Sequence, residues 1–289
     1  MKTLYVGLGK INLVDLVFWT LRRNEKDVIN LYNSLSNIMR LATGGDMLNF
    51  GYWNGGESSP LLAQKNMCIM FGRMAQLKPG QKVVDVGCGF ATPASLWQDE
   101  YDPIEITCVD INFGQLRNAA TGLNNLHRKA HLVNATARVL PFEGESVDRV
   151  LALESAQHFK PLGDFVSEAF RVLKKDGILA MAVPVVVKPA SMIKLGVLAM
   201  TWSSEHYAID FVKSVIEQNG FEISLLQRIG SSVFEPLTEY YEKNRQSLKA
   251  KISREYPFYV EKILFNSLQK MRQVSKDKTI DYLLMVCKK

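Results

Sequence analysis

From residue 82 onward the chain alternates short apolar segments with longer amphipathic ones, and this alternation constrains its fold more than any other feature. Four apolar runs have the length of β-strands, at 82–89, 105–110, 147–154 and 177–184. Helical periodicity occupies the intervals, at about 92–100, 113–128 and 163–174. Strands that alternate with helices predict βαβ units, in which helices cover both faces of a largely parallel sheet.

The C-terminal third adds one more helix and two more strands to this pattern. The helix is predicted at 207–219, and a strand follows from Phe221, after the turn Asn219-Gly220. The last strand is predicted at 279–287, and we expect it to form an antiparallel hairpin at the sheet edge with the strand from Phe221. The fold class is therefore α/β.

The remaining segments lie outside the alternation and predict a helical cap. Residues 1–78 carry three helical patterns, at 11–21, 26–41 and 59–77, the last two separated by a glycine-rich aromatic loop at 43–56. We assign 1–78 to an N-terminal helical cap with an aromatic loop, and 79–289 to the α/β domain. Insertions at about 185–204 and 234–278 are expected to extend the cap over the sheet's C-terminal edge.

Composition excludes several classes of protein. The net charge of +6 comes from scattered basic residues, which favours a mixed-charge surface, and no nucleic-acid partner is expected. The four cysteines form no CxxC pair and there are four histidines, so no metal site is predicted. Free thiols favour a reducing, cytoplasmic location. The apolar run at 11–21 is shorter than the ~20 residues needed to span a bilayer.

The segment VVDVGCGFA (83–91) predicts a ligand-binding turn between a strand and a helix. Glycines at Gly87 and Gly89 permit the sharp turn and the close approach of a ligand to the backbone. A phosphate-binding P-loop would need Gly-x4-Gly-Lys-Ser/Thr, which is absent, and a dinucleotide fingerprint would need a small residue where Thr92 stands. Asp110 ends the next strand, at the spacing of an acid that binds ribose hydroxyls.

In their order, these motifs resemble those of the class I S-adenosylmethionine (SAM)-dependent methyltransferases. They are Asp85-Val-Gly-Cys-Gly, Asp110-Ile111, and Leu140-Pro141-Phe142 followed by Asp148, and the resemblance covers about residues 80–185. It implies a Rossmann-like, seven-stranded sheet. It further implies that Asp85, Gly87 and Gly89 bind the methionine part of SAM, that Asp110 binds the ribose, and that Ile111 packs on the adenine. Asp85 capping the loop amides and Asp110 capping a helix are the structural alternatives.

Two positions depart from the family pattern. Ala91 stands where a third glycine is common. Ala135-Thr136-Ala137 stands where the family often has an acid before alanine that contacts the adenine amino group. We therefore assign Thr136 and Ala137 to the cofactor site, with a backbone carbonyl as the alternative partner of the amine.

The segment LALESAQHF (151–159) resembles the Leu-Glu-Ser-x-x-His segment of methyltransferases that act on sugars, tocopherols, sterols and long-chain lipids. It makes His158 the candidate general base, because an unperturbed imidazole pKa near 6.5 suits proton removal at neutral pH. The alternative is a histidine that only orders its loop. Glu154 is assigned to the cofactor site as an organiser of this loop. Tyr52, in a Gly-Tyr-Trp segment shared with the same group, is expected to face the sulfonium.

These observations predict a SAM-dependent enzyme that methylates a hydroxyl or carboxyl oxygen of a small lipophilic metabolite. Apolar and aromatic residues in the cap favour a lipophilic acceptor. Carbon methylation of a prenylated quinol or sterol-like acceptor is the alternative within the class, and a non-catalytic SAM-binding module is the alternative outside it. The amphipathic segment 11–21, followed by Arg22-Arg23, could rest peripherally on a membrane, cover the cofactor or form a homodimer contact.

Overall fold

The computed structural model describes residues 24–56, 58–125, 130–187, 195 and 205–289. The N-terminal helix predicted at 11–21 lies outside these ranges, as does most of the insertion predicted at 185–204.

The described residues form one seven-stranded sheet in the order β3-β2-β1-β4-β5-β7-β6. The first five strands of that order run parallel, and β7 pairs antiparallel with both β5 and β6. The predicted fold class and final antiparallel hairpin are confirmed. The strands are β1 (Lys82–Val86), β2 (Glu105–Asp110), β3 (His131–Asn134), β4 (Val147–Leu153), β5 (Leu173–Val186), β6 (Glu222–Arg228) and β7 (Ile280–Lys288).

Eight α-helices lie within the described ranges, and the two N-terminal ones begin at polar capping residues. The Asn24 side chain accepts a hydrogen bond from the Asp27 N–H, and Ser59 accepts one from the Leu62 N–H. The helices are α1 (Glu25–Thr43), α2 (Pro60–Met74), α3 (Thr92–Glu100), α4 (Phe113–Asn125), α5 (Leu162–Val172), α6 (Ile209–Gln218), α7 (Phe234–Ile252) and α8 (Phe258–Lys276).

Alternate residues of the central strands enter two separate cores. Val83 of β1 packs in the core with α2, α3, α4, α7 and α8, whereas its neighbour Val84 packs in the core with α5 and α6. Because side chains of a strand point alternately to opposite faces, a strand covered by helices on both sides must be apolar throughout. This is why the central strands appear in the sequence as continuous apolar runs.

The sheet differs from the sequence-based expectation in two strands. The strand at His131–Asn134 was not recognised, because it is short, half-exposed and polar at both ends. The strand predicted at 177–184 begins earlier, at Leu173, and crosses the charged residues 174–176. In the described ranges, no helix is both long and apolar enough to cross a membrane.

Candidate active site

The glycine turn after β1 is shaped by left-handed backbone and by a close neighbour from β4. Gly87 has φ +78° and Gly89 has φ +57°. The N–H groups of Gly87 and Cys88 both donate to the Val109 carbonyl, at 2.7 and 3.2 Å. A Cβ at position 87 would lie 2.3 Å from the Ser155 Cβ. Glycine is therefore required here both by the backbone conformation and by the approach of Ser155.

Asp110 ends β2 with its carboxylate fixed beside this turn. It accepts a hydrogen bond from the Gly89 N–H at 2.9 Å and one from the Asn112 N–H at 2.8 Å. Burial raises the pKa of Asp110, and these backbone donors oppose the rise. Each carboxylate oxygen keeps a further lone-pair site, so the oriented group can accept bonds from two adjacent ribose hydroxyls.

The loop before α2 brings an amide oxygen to the same cavity. Buried Gln64 of α2 donates to the carbonyls of Met47 and Asn49, and the Asn49 side-chain nitrogen donates to the Gln64 carbonyl at 3.3 Å. This bond sets the orientation of the Asn49 amide. Its buried oxygen, Oδ1, has no hydrogen-bond partner within the described part of the chain. A donor group on a bound ligand would satisfy this oxygen.

Helix α1 forms the wall opposite the glycine turn. Glu25, Val28, Ile29 and Tyr32 line the cavity, and their spacing places them on one helical face. Polar contacts hold the same helix to the loop after β2. The Asn112 side chain donates to the Asn33 side chain at 2.9 Å, and the Gln115 side chain donates to the Ser36 hydroxyl at 3.2 Å.

His158 lies in a short 3₁₀ turn just after β4 and faces Tyr32 across the cavity. Its Nε2 atom is 2.9 Å from the Tyr32 hydroxyl, and the two rings meet edge to face. Burial, together with the negative charges of Glu154 and Asp110, raises the pKa of Tyr32 above its usual value. Because Tyr32 stays protonated, its hydroxyl can donate to Nε2, a bond that requires the imidazole proton to sit on Nδ1.

Glu154 connects the end of β4 to the aromatic loop and to β7. Its carboxyl oxygens accept from the Phe50 N–H at 2.9 and 3.0 Å and from the Tyr282 hydroxyl at 2.7 Å. Burial raises the pKa of Glu154 to about 8, although both donors oppose the rise. The side chain therefore ties the end of β4 to the aromatic loop and to β7, and it also lines the cavity.

The cavity enclosed by these elements has an empty volume of about 1000 Å³, including its open mouth. Acidic residues outnumber basic ones on its wall, although the whole chain is basic. The acidic lining residues are Glu25, Asp46, Asp110 and Glu154, of which Glu154 is held protonated by its raised pKa, and the basic one is Arg138. An acidic wall suits a ligand that carries ammonium and sulfonium charges, the fixed Asp110 suits a ribose, and the buried Asn49 oxygen suits an ammonium donor. The residues present therefore fit SAM.

Seven of the predicted site residues come together on this cavity. They are Gly87, Gly89, Asp110, Ile111, Ala137, Glu154 and His158. Contacts from α1 and from the loop at 46–49 were missed. The helical pattern at 26–41 indicated which positions are apolar but not which face meets a ligand, so Glu25, Tyr32 and Asn49 were not identified.

Three predicted cofactor contacts do not line the cavity. Asp85 is buried within β1, between the paired residues Cys108 and Leu151, and burial and the charge of Asp110 raise its pKa to about 7. The Tyr52 backbone N–H donates to the Ala63 carbonyl of α2, and its partly buried side chain packs against the core on that face of the sheet. Thr136 donates its hydroxyl to Glu25. The assignment of Asp85, Tyr52 and Thr136 as direct cofactor contacts stays a prediction.

Comparisons with known proteins show similarity to methyltransferases. Residues 84–181 match the family described as a methyltransferase domain. Erythromycin 3''-O-methyltransferase of Saccharopolyspora erythraea is 31% identical over 175 residues, which cover 59% of this chain and 57% of that protein. Sterol 24-C-methyltransferase of Schizosaccharomyces pombe is 28% identical over 158 residues, which cover 54% of this chain and 41% of that protein. The matches thus span only about half the length of these relatives.

Among solved structures, the cyclopropane synthase MmaA2 from Mycobacterium tuberculosis shares the fold. The TM-score is 0.79 at 17% identity, and the match covers 92% of this chain and 98% of that one. The matched methyltransferase domain spans β1 to β5, and so contains the glycine turn, Asp110 and His158. Residues 84–181 of this chain are therefore identified as a methyltransferase domain, within a fold that the synthase shares.

Proposed function

We propose that the protein transfers the methyl group of SAM to an oxygen, hydroxyl or carboxyl, of a small lipophilic metabolite, with His158 as the general base. The observation that carries the proposal is the position of His158. Its imidazole lines the cofactor cavity just beyond β4, near the glycine turn and within hydrogen-bond distance of Tyr32.

SAM supplies an electrophilic methyl carbon on a sulfonium, so the protein's task is to align the acceptor, exclude water and accept a proton. The acceptor oxygen forms a bond to that carbon while the carbon–sulfur bond breaks and its electron pair stays on sulfur. The proton lost by the acceptor passes to His158 Nε2, either directly or through the Tyr32 hydroxyl. In the second route, Tyr32 donates its own proton to Nε2 and takes up the acceptor's proton.

Helix α1 would hold these groups away from water. Tyr32 is half-buried where α1 faces the sheet, and burial raises the pKa of Glu154 to about 8, which favours its protonated form at neutral pH. Asp110, oriented by the Gly89 and Asn112 N–H groups, is the acid that would accept hydrogen bonds from the cofactor's ribose. Helix α1 and the loop at 46–49 therefore line both the cofactor-binding part and the reacting end of the cavity.

Relatives of both kinds bear on the methylated atom. The erythromycin enzyme is named for an oxygen acceptor, which supports the proposal. The sterol enzyme is named for a carbon acceptor, and this supports carbon methylation of a sterol-like or prenylated acceptor as the second candidate. Methylation at oxygen and at carbon both release a proton, so a base in the cavity serves either candidate, and the higher identity of the erythromycin enzyme, 31% against 28%, favours the first.

Labelled transfer experiments would separate these candidates. The purified protein would be incubated with methyl-labelled SAM and either macrolide sugars, fatty acids or sterols, and the labelled product would be treated with alkali. An alkali-labile methyl group indicates an ester, and a stable one is assigned to oxygen or carbon by NMR. His158→Ala should lower oxygen methylation roughly 100-fold or more while leaving S-adenosylhomocysteine binding intact. Full activity in this variant on an aliphatic hydroxyl would refute the assignment of the base.

A further inference from the structure

The wall formed by α1 carries the Glu25 carboxylate at one end and the Tyr32 hydroxyl at the other. Glu25 and Tyr32 are seven residues apart, which places them on one face and about 10 Å apart along the axis. Val28 and Ile29 lie between them on the same wall. The helix therefore runs along the cavity, with Tyr32 at the His158 end and Glu25 at the opposite end.

The order of the strands shows which part of the cofactor meets Glu25. The glycine turn follows β1, His158 follows β4, and Asp110 ends β2 on the other side of β1. With the ribose on Asp110 and the methionine part directed toward β4, the base must extend in the opposite direction, toward β3. The cavity wall on that side is formed by Ile111, Ala135, Ala137, Arg138 and Glu25.

Apart from Asn112, whose amide is bonded to Asn33 and to the Gln115 N–H, this end of the cavity carries two polar side chains, and both are charged. Ile111, Ala135 and Ala137 can pack on a flat ring but offer no side-chain acceptor. Arg138 is a donor and pairs with Asp164 at 2.9 Å. Glu25 is half-buried and accepts the hydroxyl of Thr136, which steadies its carboxylate at the rim. A carboxylate has two oxygens and about four lone-pair sites, so the Thr136 bond leaves capacity for a ligand.

We propose that Glu25 recognises the exocyclic amino group of the cofactor's adenine by accepting a hydrogen bond from it. Thr136, which does not line the cavity, then positions Glu25 instead of touching the base. Glu25 belongs to α1, the helix that covers the site. Recognition of the adenine therefore depends on the contacts of α1 with Thr136, Asn112 and Gln115. The inference rests on SAM as the cofactor, and it assigns a binding role to a residue outside the matched domain.

A binding cycle isolates this bond. Calorimetry would measure the affinity of S-adenosylhomocysteine and of its 6-deamino purine analogue, which lacks only the amino group, for the wild type, Glu25→Ala and Glu25→Gln. A hydrogen bond to a charged acceptor corresponds to roughly a 10- to 100-fold preference of the wild type for the amine. Glu25→Ala should bind both ligands with affinities within about twofold of each other. Glu25→Gln keeps a neutral acceptor, so its preference for the amino group should lie between those of Glu25→Ala and the wild type.

The matched control is Asp210→Asn, which neutralises an exposed acid in the first turn of α6, away from the cavity. Asp210→Asn should keep the wild-type preference for the amino group, because it changes a charge at the N-terminus of α6 and does not contact the cavity. An equal preference for the amine in the wild type and in Glu25→Ala would overturn the inference, even if both bind S-adenosylhomocysteine. If folded wild type binds neither ligand, the cofactor assignment itself fails, which is a different result.

Discussion

Replacing Glu154 by glutamine should change how stability depends on pH, because Glu154 is a buried acid that the fold keeps protonated. Burial raises its pKa from 4.5 to about 8, against the opposing hydrogen bonds from Tyr282 and Phe50. Glutamine has nearly the same shape, and its carbonyl oxygen can still accept from these donors. It cannot ionise at any pH in the range.

The sign and size follow from proton linkage. Between pH 4.5 and about 8 the unfolded chain has lost the Glu154 proton while the folded chain keeps it. The folded state binds more protons, so the contribution of Glu154 to stability falls as pH rises, by about 1.4 kcal/mol per pH unit. Over the whole window this reaches roughly 4–5 kcal/mol as an upper value.

Urea unfolding of the wild type and of Glu154→Gln, measured at intervals from about pH 5 to pH 9, tests this. The difference in unfolding free energy should move in favour of the variant by up to about 1.4 kcal/mol per pH unit as pH rises to about 8, and then level off. Other groups, including Asp85, titrate equally in both proteins and cancel.

Glu168→Gln is the matched control of opposite sign. The Arg171 guanidinium holds the pKa of Glu168 below its usual value. The ionised Glu168 therefore stabilises the fold above its unfolded pKa, and this stabilisation is lost as pH falls. Glu168→Gln should have a lower free energy of unfolding than the wild type at neutral pH, and the two values should converge in acid. If the difference in unfolding free energy between the wild type and Glu154→Gln stays constant from pH 5 to pH 8, Glu154 is not a buried acid held in its protonated form.

Three further substitutions test the site. Gly87→Ala should lose S-adenosylhomocysteine binding and destabilise the fold by more than about 2 kcal/mol in urea melts, because a methyl there meets Ser155 at 2.3 Å and φ is positive. Gly122→Ala in α4, where a methyl meets nothing within 4 Å, should instead stabilise by about 0.5–1 kcal/mol; equal effects at the two glycines would contradict the geometry. Tyr32→Phe should bind S-adenosylhomocysteine within a few-fold of the wild type, yet lower single-turnover methylation roughly 10- to 100-fold and shift its pH profile. An unchanged methylation rate and pH profile would show that the hydrogen bond between Tyr32 and His158 does not contribute to the reaction.

The sheet was largely predictable because parallel strands covered on both faces must be apolar at nearly every position. The runs ending at Val86, Asp110 and Leu153 were identified on that basis, and the glycines at 87 and 89 marked the turn. The strand at His131–Asn134 escaped recognition because it has one strand neighbour, and two of its four residues are exposed and polar. Its position at the edge of the sheet depends on pairing with β2 and not on a pattern in its own residues.

The half of the site contributed by α1 could not be predicted from the sequence. Tyr32 and His158 are 126 positions apart, and their contact depends on how a helix from the first 43 residues settles across the sheet. An amphipathic pattern defines a face but not its partner. The same limit explains Tyr52, which aligns with an aromatic segment of the resembling family yet is bonded to α2 through its backbone.

Calorimetric titration of the purified protein with S-adenosylhomocysteine, alongside Asp110→Ala and the exposed-acid control Asp277→Ala, tests the cofactor site most directly. We expect the wild type and the control to bind alike. Asp110→Ala should bind at least about 10-fold more weakly, because a charged acceptor of two hydroxyls is lost. No binding by folded wild-type protein, or equal binding by Asp110→Ala, would contradict the assignment of this cavity to SAM.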